Sequence, residues 1–137
     1  APSEMCIRDR RRNVLLIGDG SLQLTVQALS TIIREDLKPV IFVINNDGYT
    51  VERKIHGESA PYNDIKMWDY KQLPFVFGMK DTEVKIRDVT TSNALATALN
   101  EINQTPNMMH FVEVHMDVHD APEKLDAIGK AFAQQNG

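Results

Sequence analysis

Two wholly apolar runs, Val14-Leu15-Leu16-Ile17 and Val40-Ile41-Phe42-Val43-Ile44, each closing on a polar turn-forming loop, constrain this chain's fold more than any other feature. Both are strand-length and lack the alternation of a sheet that is wet on one face, so both read as parallel strands buried on two faces. The segment between them is helix-length. Leu22, Val26, Leu29 and Ile33 recur at helical spacing from Leu22 to Arg34, with Leu24, Ala28 and Ile32 widening the stripe. Ser21 is positioned to cap that helix and Pro39 to end it, so the first third reads strand, helix, strand, joined by a right-handed crossover.

The alternation continues. The stretch from Gly57 to Asp69 is polar and turn-rich, and Tyr70 to Phe77 reads as a short helix interrupted by Pro74. Val84 to Val89 gives a third strand. Thr91 to Asn103 gives a helix lined by Ala94, Leu95, Ala98, Leu99 and Ile102, and Met109 to Val114 a fourth strand. Asp120-Ala121-Pro122-Glu123 combines capping-box spacing with an early proline and opens a helix through Leu125, Ile128 and Phe132. The expected fold is α/β, with a mostly parallel sheet between layers of flanking helices.

At 137 residues the chain can bury one ordinary core. Its net charge of −4, without long single-sign blocks, argues against binding nucleic acid or an anionic membrane. No apolar run approaches the roughly 20 residues of a membrane span. No segment has the layout of a secretory signal, and the single cysteine, Cys6, fits a reducing compartment, so the expected location is cytoplasmic. Residues 1–12 lack periodicity, end in Arg8-Asp9-Arg10-Arg11-Arg12 and break abruptly into the first strand. They read as a non-native or disordered tail before a partial domain at 13–137.

In open parallel sheets ligands bind where the carboxyl ends of adjacent strands meet, and the loops after Ile17 and Ile44 leave from such ends. The first is Gly18-Asp19-Gly20-Ser21 and the second Asn45-Asn46-Asp47-Gly48-Tyr49-Thr50-Val51-Glu52. Gly18 and Gly20 permit close backbone approach, and the helix start beyond them attracts an anion such as a diphosphate. Asp19 would repel a bare phosphate, which makes sense if a hard divalent cation lies between them. Magnesium, which shares its six oxygen positions among a few protein groups, phosphate and water, suits Asp19, Asn46 and a backbone carbonyl. Taken singly, Gly-Asp-Gly is a turn and Asn-Asn-Asp-Gly a loop. It is their pairing at the ends of consecutive strands that points to one ligand.

Gly-Asp-Gly followed by Asn-Asn resembles the diphosphate-binding domain of thiamine diphosphate enzymes. Asn45 to Arg53, Ile55-His56-Gly57 and Tyr62-Asn63-Asp64-Ile65 are similar to 2-keto acid decarboxylases of the pyruvate, indolepyruvate and branched-chain kinds. The resemblance runs from Asn13 to the carboxyl end. It implies thiamine diphosphate and Mg2+ as cofactors, with Asp19, Asn46 and the Gly48 carbonyl on the metal. Gly18, Gly20, Ser21, Tyr49 and Val51 would join Asp19, Asn46 and Gly48 around the cofactor. Glu52 would stand beside the reacting carbon as the catalytic group. A carboxylate in an apolar pocket can have its pKa raised enough to donate a proton near neutrality; otherwise Glu52 is a solvated partner of Arg53. Val51, Ile55 and Phe132 would line the pocket for the substrate side chain, though each also reads as ordinary core.

Complete members of that family carry a pyrimidine-binding domain and a middle domain before this one. The activating glutamate comes from a partner subunit's pyrimidine-binding domain, in a homodimer or homotetramer. The resemblance therefore implies a lyase that converts a 2-keto acid to an aldehyde and CO2 when whole, and a fragment that is inactive alone, with an exposed sheet edge. An acetolactate synthase-like carboligase and a non-catalytic nucleotide-binding α/β module with a magnesium pocket remain open. His115 and His119, about 13 Å apart on an extended segment, are too distant for one ion. His56 reads as structural, and His110 and His115 as peculiar to this chain.

Overall fold

The computed structural model describes residues 12–135. Four strands, β1 (Val14–Gly18), β2 (Val40–Asn45), β3 (Val84–Val89) and β4 (Met109–His115), form one sheet in the order β1-β2-β4-β3, every pair parallel. The helices are α1 (Asp19–Thr25), α2 (Ala28–Arg34), α3 (Thr50–His56), α4 (Leu73–Val76), α5 (Ser92–Gln104) and α6 (Glu123–Gln135).

Because strand side chains alternate between faces, β2 sends Ile41 and Val43 into one layer and Val40 and Phe42 into the other. The first layer gathers Leu22, Leu29, Tyr70, Met79, Val84, Met109 and Phe111. The second gathers Val89, Ala98 and Val112, with Ala94, Leu95 and Ile102 of α5 packed against them. The central strands β2 and β4 are buried on both faces; β2 accordingly reads as an unbroken apolar run, whereas β4 also buries His110 and Glu113.

The first strand departs from that expectation. β1 lies at the sheet edge, paired with β2, and Val14, Leu15 and Leu16 are 59%, 41% and 68% exposed. Among the described residues no strand pairs with the outer side of β1.

The single helix expected from Leu22 to Arg34 is two. Thr25 Oγ1 donates to the Ser21 carbonyl at 3.0 Å, a back-bond that competes with the helical ladder. The chain then tightens, with Leu29 N and Ser30 N donating three residues back to Val26 and Gln27. Ser21 does not cap: the helix starts two residues earlier, with Gly18 at the cap position. Pro74 opens α4 rather than interrupting a helix, following a 3-10 turn at Tyr70–Gln72. Leu99, expected on the packed side of α5, is 46% exposed. Thr91 caps that helix, its hydroxyl accepting from Ala94 N at 3.2 Å.

Residues 1–11, including Cys6, lie outside the described residues. Arg12, grouped with the tail in the sequence reading, is tied into the fold: its guanidinium donates to the carbonyls of Lys38 (3.0 Å), Ile102 (3.0 Å) and Met108 (2.6 Å).

Candidate functional site

The parallel register sets Gly18 opposite Ile44, so the loops after β1 and β2 leave the sheet side by side. Asp19 latches them together. It is 1% exposed, its Oδ1 accepting from Gly20 N at 2.8 Å and its Oδ2 from Gly48 N at 2.9 Å. A buried carboxylate requires such partners. Two glycines are dictated by close approach. A Cβ on Gly20 would lie 2.5 Å from the Tyr49 ring, and one on Gly48, whose φ is +111°, would lie 2.3 Å from the Asn63 carbonyl oxygen. That same oxygen accepts from Tyr49 N at 3.0 Å.

The side chain of Asn46 turns into the space between the loops. One end of its carboxamide is 2.8 Å from Thr50 Oγ1. The other end is 3.1 Å from the Gly48 carbonyl oxygen and 3.3 Å from Asp19 Oδ1. The inner end of the Asn46 carboxamide therefore lies close to both Asp19 and the Gly48 carbonyl oxygen. Adjacent oxygens on a magnesium ion stand about 2.9 Å apart, from metal–oxygen distances near 2.0–2.1 Å in an octahedron. With the Asn46 oxygen facing inward, a carboxylate, an amide and a backbone carbonyl give an all-oxygen set within a few tenths of an ångström of that spacing. The donor set fits a hard divalent cation.

Glu52 occupies the first turn of α3, with its side chain 43% exposed and His56 Nε2 3.4 Å away. The apolar enclosure expected around it is not formed by the described residues. Nor is Arg53 its partner: that guanidinium is held by Asp64 and by the Asn63 carbonyl at 3.3 Å. Val51, on the same turn, is 51% exposed and Ile55 half-buried. Phe132, 46% exposed, lies on α6, which packs on α3. The contact is close, because a Cβ on Gly129 would fall 2.1 Å from the Lys54 carbonyl oxygen, and Asp126 pairs with Lys54 at 3.1 Å. Gly18 ends β1, and Ser21 is exposed on α1.

Several contacts were not indicated by the sequence. Asn45 anchors the second loop by donating to Glu113 Oε1 at 2.7 Å, and Glu113 is a carboxylate only 3% exposed on central strand β4. Beside it, His115 Nε2 is 2.6 Å from Asp88 Oδ1 and 3.8 Å from Glu113 Oε1. Lys71 Nζ bonds Asp88 Oδ2 at 2.6 Å, and together with His115 it holds the Asp88 carboxyl below the usual range. The Asp88, Glu113 and His115 ligand atoms all lie within 4.8 Å of one another. The register that pairs Asp88 with Glu113 brings this cluster together, and nothing local in the sequence announces it. His110 is fully buried, its Nε2 3.0 Å from Thr105 Oγ1, and burial lowers its pKa. Among the described residues no helix is long and apolar enough to cross a membrane.

Residues 4–114 match the model of the family described as thiamine pyrophosphate enzyme, C-terminal TPP binding domain. The chain is 49% identical over 133 residues to a pyruvate decarboxylase of Aspergillus terreus, which covers 94% of this chain and 23% of that protein. It is 44% identical over 130 residues to pyruvate decarboxylase isozyme 1 of Saccharomyces cerevisiae, covering 95% and 23%. An alpha-keto-acid decarboxylase of Mycobacterium bovis is 47% identical over 125 residues, covering 91% and 22%. The chain thus spans less than a quarter of these relatives' length. Among solved structures, benzoylformate decarboxylase from Polynucleobacter necessarius superposes with a TM-score of 0.67 at 21% identity, over 89% of this chain and 23% of that one. A thiamine diphosphate-dependent 4-hydroxybenzoylformate decarboxylase of Rhodococcus jostii superposes with a TM-score of 0.65 at 24% identity, over 80% and 20%. At those identities the two structures speak for the fold.

Proposed function

From the premise that this chain belongs to the thiamine pyrophosphate enzymes and carries sequence of their C-terminal TPP-binding domain, we propose that it forms the magnesium- and diphosphate-holding half of a non-oxidative 2-keto acid decarboxylase. The observation that carries this reading is the convergence of Asp19, Asn46 and the Gly48 carbonyl at the carboxyl ends of β1 and β2. The relatives' names supply the reaction class.

In this reading Asp19, Asn46 and the Gly48 carbonyl would hold Mg2+, which would offset the charge of the diphosphate. Asp19 also keeps the two loops in register through the Gly48 NH. Gly20 leaves room for Tyr49 against the first loop, and Ser21 offers a hydroxyl to the diphosphate. Thiamine diphosphate, when bound, supplies the electron sink for the pair released as CO2 leaves. Glu52 holds or donates a proton at its carboxylate near the reacting carbon. For that role its half-open position needs covering, which a partner subunit's pyrimidine-binding domain would provide. Val51, Ile55 and Phe132 exclude water from the substrate side chain. The whole protein works as a homodimer or homotetramer in the cytoplasm, and this chain alone does not turn over.

The test is product analysis of a full-length protein carrying this sequence, supplied with 2-keto acids. Aldehyde and CO2 in equal amounts are expected. Glu52→Gln should retain thiamine diphosphate binding while turnover falls by about 100-fold or more. Acetohydroxy acid as the sole product would replace decarboxylation by carboligation, and unchanged turnover in Glu52→Gln would remove Glu52 from the chemistry.

A further inference from the structure

We propose that Thr50 is a positioning residue for the metal site, its single hydroxyl proton setting which end of the Asn46 carboxamide faces Asp19 and Gly48. The proposal rests on the magnesium reading above for its consequence, but not for its geometry.

Thr50 is 5% exposed, and its Oγ1 has two polar neighbours: the Val118 carbonyl oxygen at 2.9 Å and the Asn46 carboxamide at 2.8 Å. A hydroxyl carries one proton and two lone pairs, whereas a carbonyl can only accept. When the proton goes to Val118, the Asn46 end that faces Thr50 is its NH2. The oxygen end then faces the Gly48 carbonyl at 3.1 Å and Asp19 Oδ1 at 3.3 Å, so that three acceptors converge with no hydrogen between them.

The opposite orientation turns the NH2 toward Gly48 and Asp19, which satisfies the amide without a cation. It also requires the Thr50 proton to serve Asn46 and leaves the Val118 oxygen without it. The two ends of an amide have nearly the same shape, so the hydrogen-bond network decides between them. Thr50 and Val118 favour the arrangement a cation needs, at the expense of the amide's own hydrogen bonds. Val118 lies in the loop after β4, 68 residues from Thr50. The metal loop is thereby clamped to a distant part of the fold.

Thr50→Val keeps the side-chain shape and removes both functions of the hydroxyl, whereas Thr50→Ser keeps them. The experiment is nuclear Overhauser spectroscopy of the labelled 137-residue chain, joined to Mn2+ titration of the chain and both variants in the presence of thiamine diphosphate. In the wild type the Asn46 side-chain NH2 protons should show contacts to the Thr50 β and γ protons. Mn2+ should bind Thr50→Ser within twofold of wild type and Thr50→Val about three- to tenfold more weakly, the worth of one oriented hydrogen bond. Asn46 NH2 contacts to Gly48 instead of Thr50, or equal Mn2+ affinity in wild type and Thr50→Val, would overturn the proposal. Thr50→Ser as weak as Thr50→Val would overturn it too. If Mn2+ binds none of the three while the Asn46–Thr50 contacts persist, the positioning stands and the magnesium reading falls.

Discussion

Gly48→Ala should destabilise the metal-free fold by about 2–4 kcal/mol. Its φ of +111° lies where side chains strain the backbone, worth about 1–3 kcal/mol. The new Cβ would also stand 2.3 Å from the Asn63 carbonyl oxygen, which would have to retreat by roughly 1 Å to reach ordinary contact. That oxygen accepts from Tyr49 N at 3.0 Å and Arg53 at 3.3 Å, and losing one such bond costs about 0.5–1.5 kcal/mol. Two glycines separate these contributions. Gly78 has φ +99° with nothing within 4 Å of a Cβ, so Gly78→Ala isolates the strain. Gly18 has φ −69° and equally open space, so Gly18→Ala should stay within about 0.5 kcal/mol of wild type. Urea unfolding of the chain with EDTA present reads all three. For an m-value of about 2 kcal/mol/M the Gly48→Ala midpoint should fall by about 1–2 M. A Gly48→Ala midpoint within error of wild type, or one no lower than that of Gly78→Ala, would refute the reasoning.

Gly129→Ala puts a Cβ 2.1 Å from the Lys54 carbonyl oxygen, so α6 and α3 must move apart; about 1–3 kcal/mol of stability should be lost, with faster amide exchange in α6 than in β4, and uniform exchange would contradict it. His110 is buried with its pKa lowered by desolvation, so the unfolded chain takes up its proton first as pH falls. Stability should therefore decline below an unfolded pKa of about 6.5, by at most about 1.4 kcal/mol per pH unit, and level off below the folded pKa. His110→Leu should flatten that decline in urea midpoints taken from pH 7 to 5, and an unchanged slope would exonerate His110.

The strands were legible because β1 and β2 are contiguous apolar runs and β3 and β4 are short stretches rich in β-branched and aromatic residues between helical patterns. Burial of β1 was not, because whether a strand is central or at an edge follows from strand order rather than from its own residues. The split between α1 and α2 was hidden because Thr25 has unremarkable apolar spacing around it, and only its bond to the Ser21 carbonyl reveals the competition. Asp19, Asn46 and Gly48 were found together because two short motifs carry them. Thr50–Val118 and Asn45–Glu113 each join residues 68 apart, so no local pattern could announce them. Glu52 was legible as a residue but not in its setting: an apolar pocket was expected, and the described residues leave it half-open beside His56.

The central claim is that Asp19, Asn46 and the Gly48 carbonyl form a cation-dependent diphosphate cradle. Calorimetric titration of thiamine diphosphate into the chain, with Mg2+ and then with EDTA, tests it most directly. The account predicts heat of binding with Mg2+ that disappears with EDTA and in Asp19→Ala. Equal binding in EDTA, or preference for a nucleoside triphosphate over thiamine diphosphate, would contradict it.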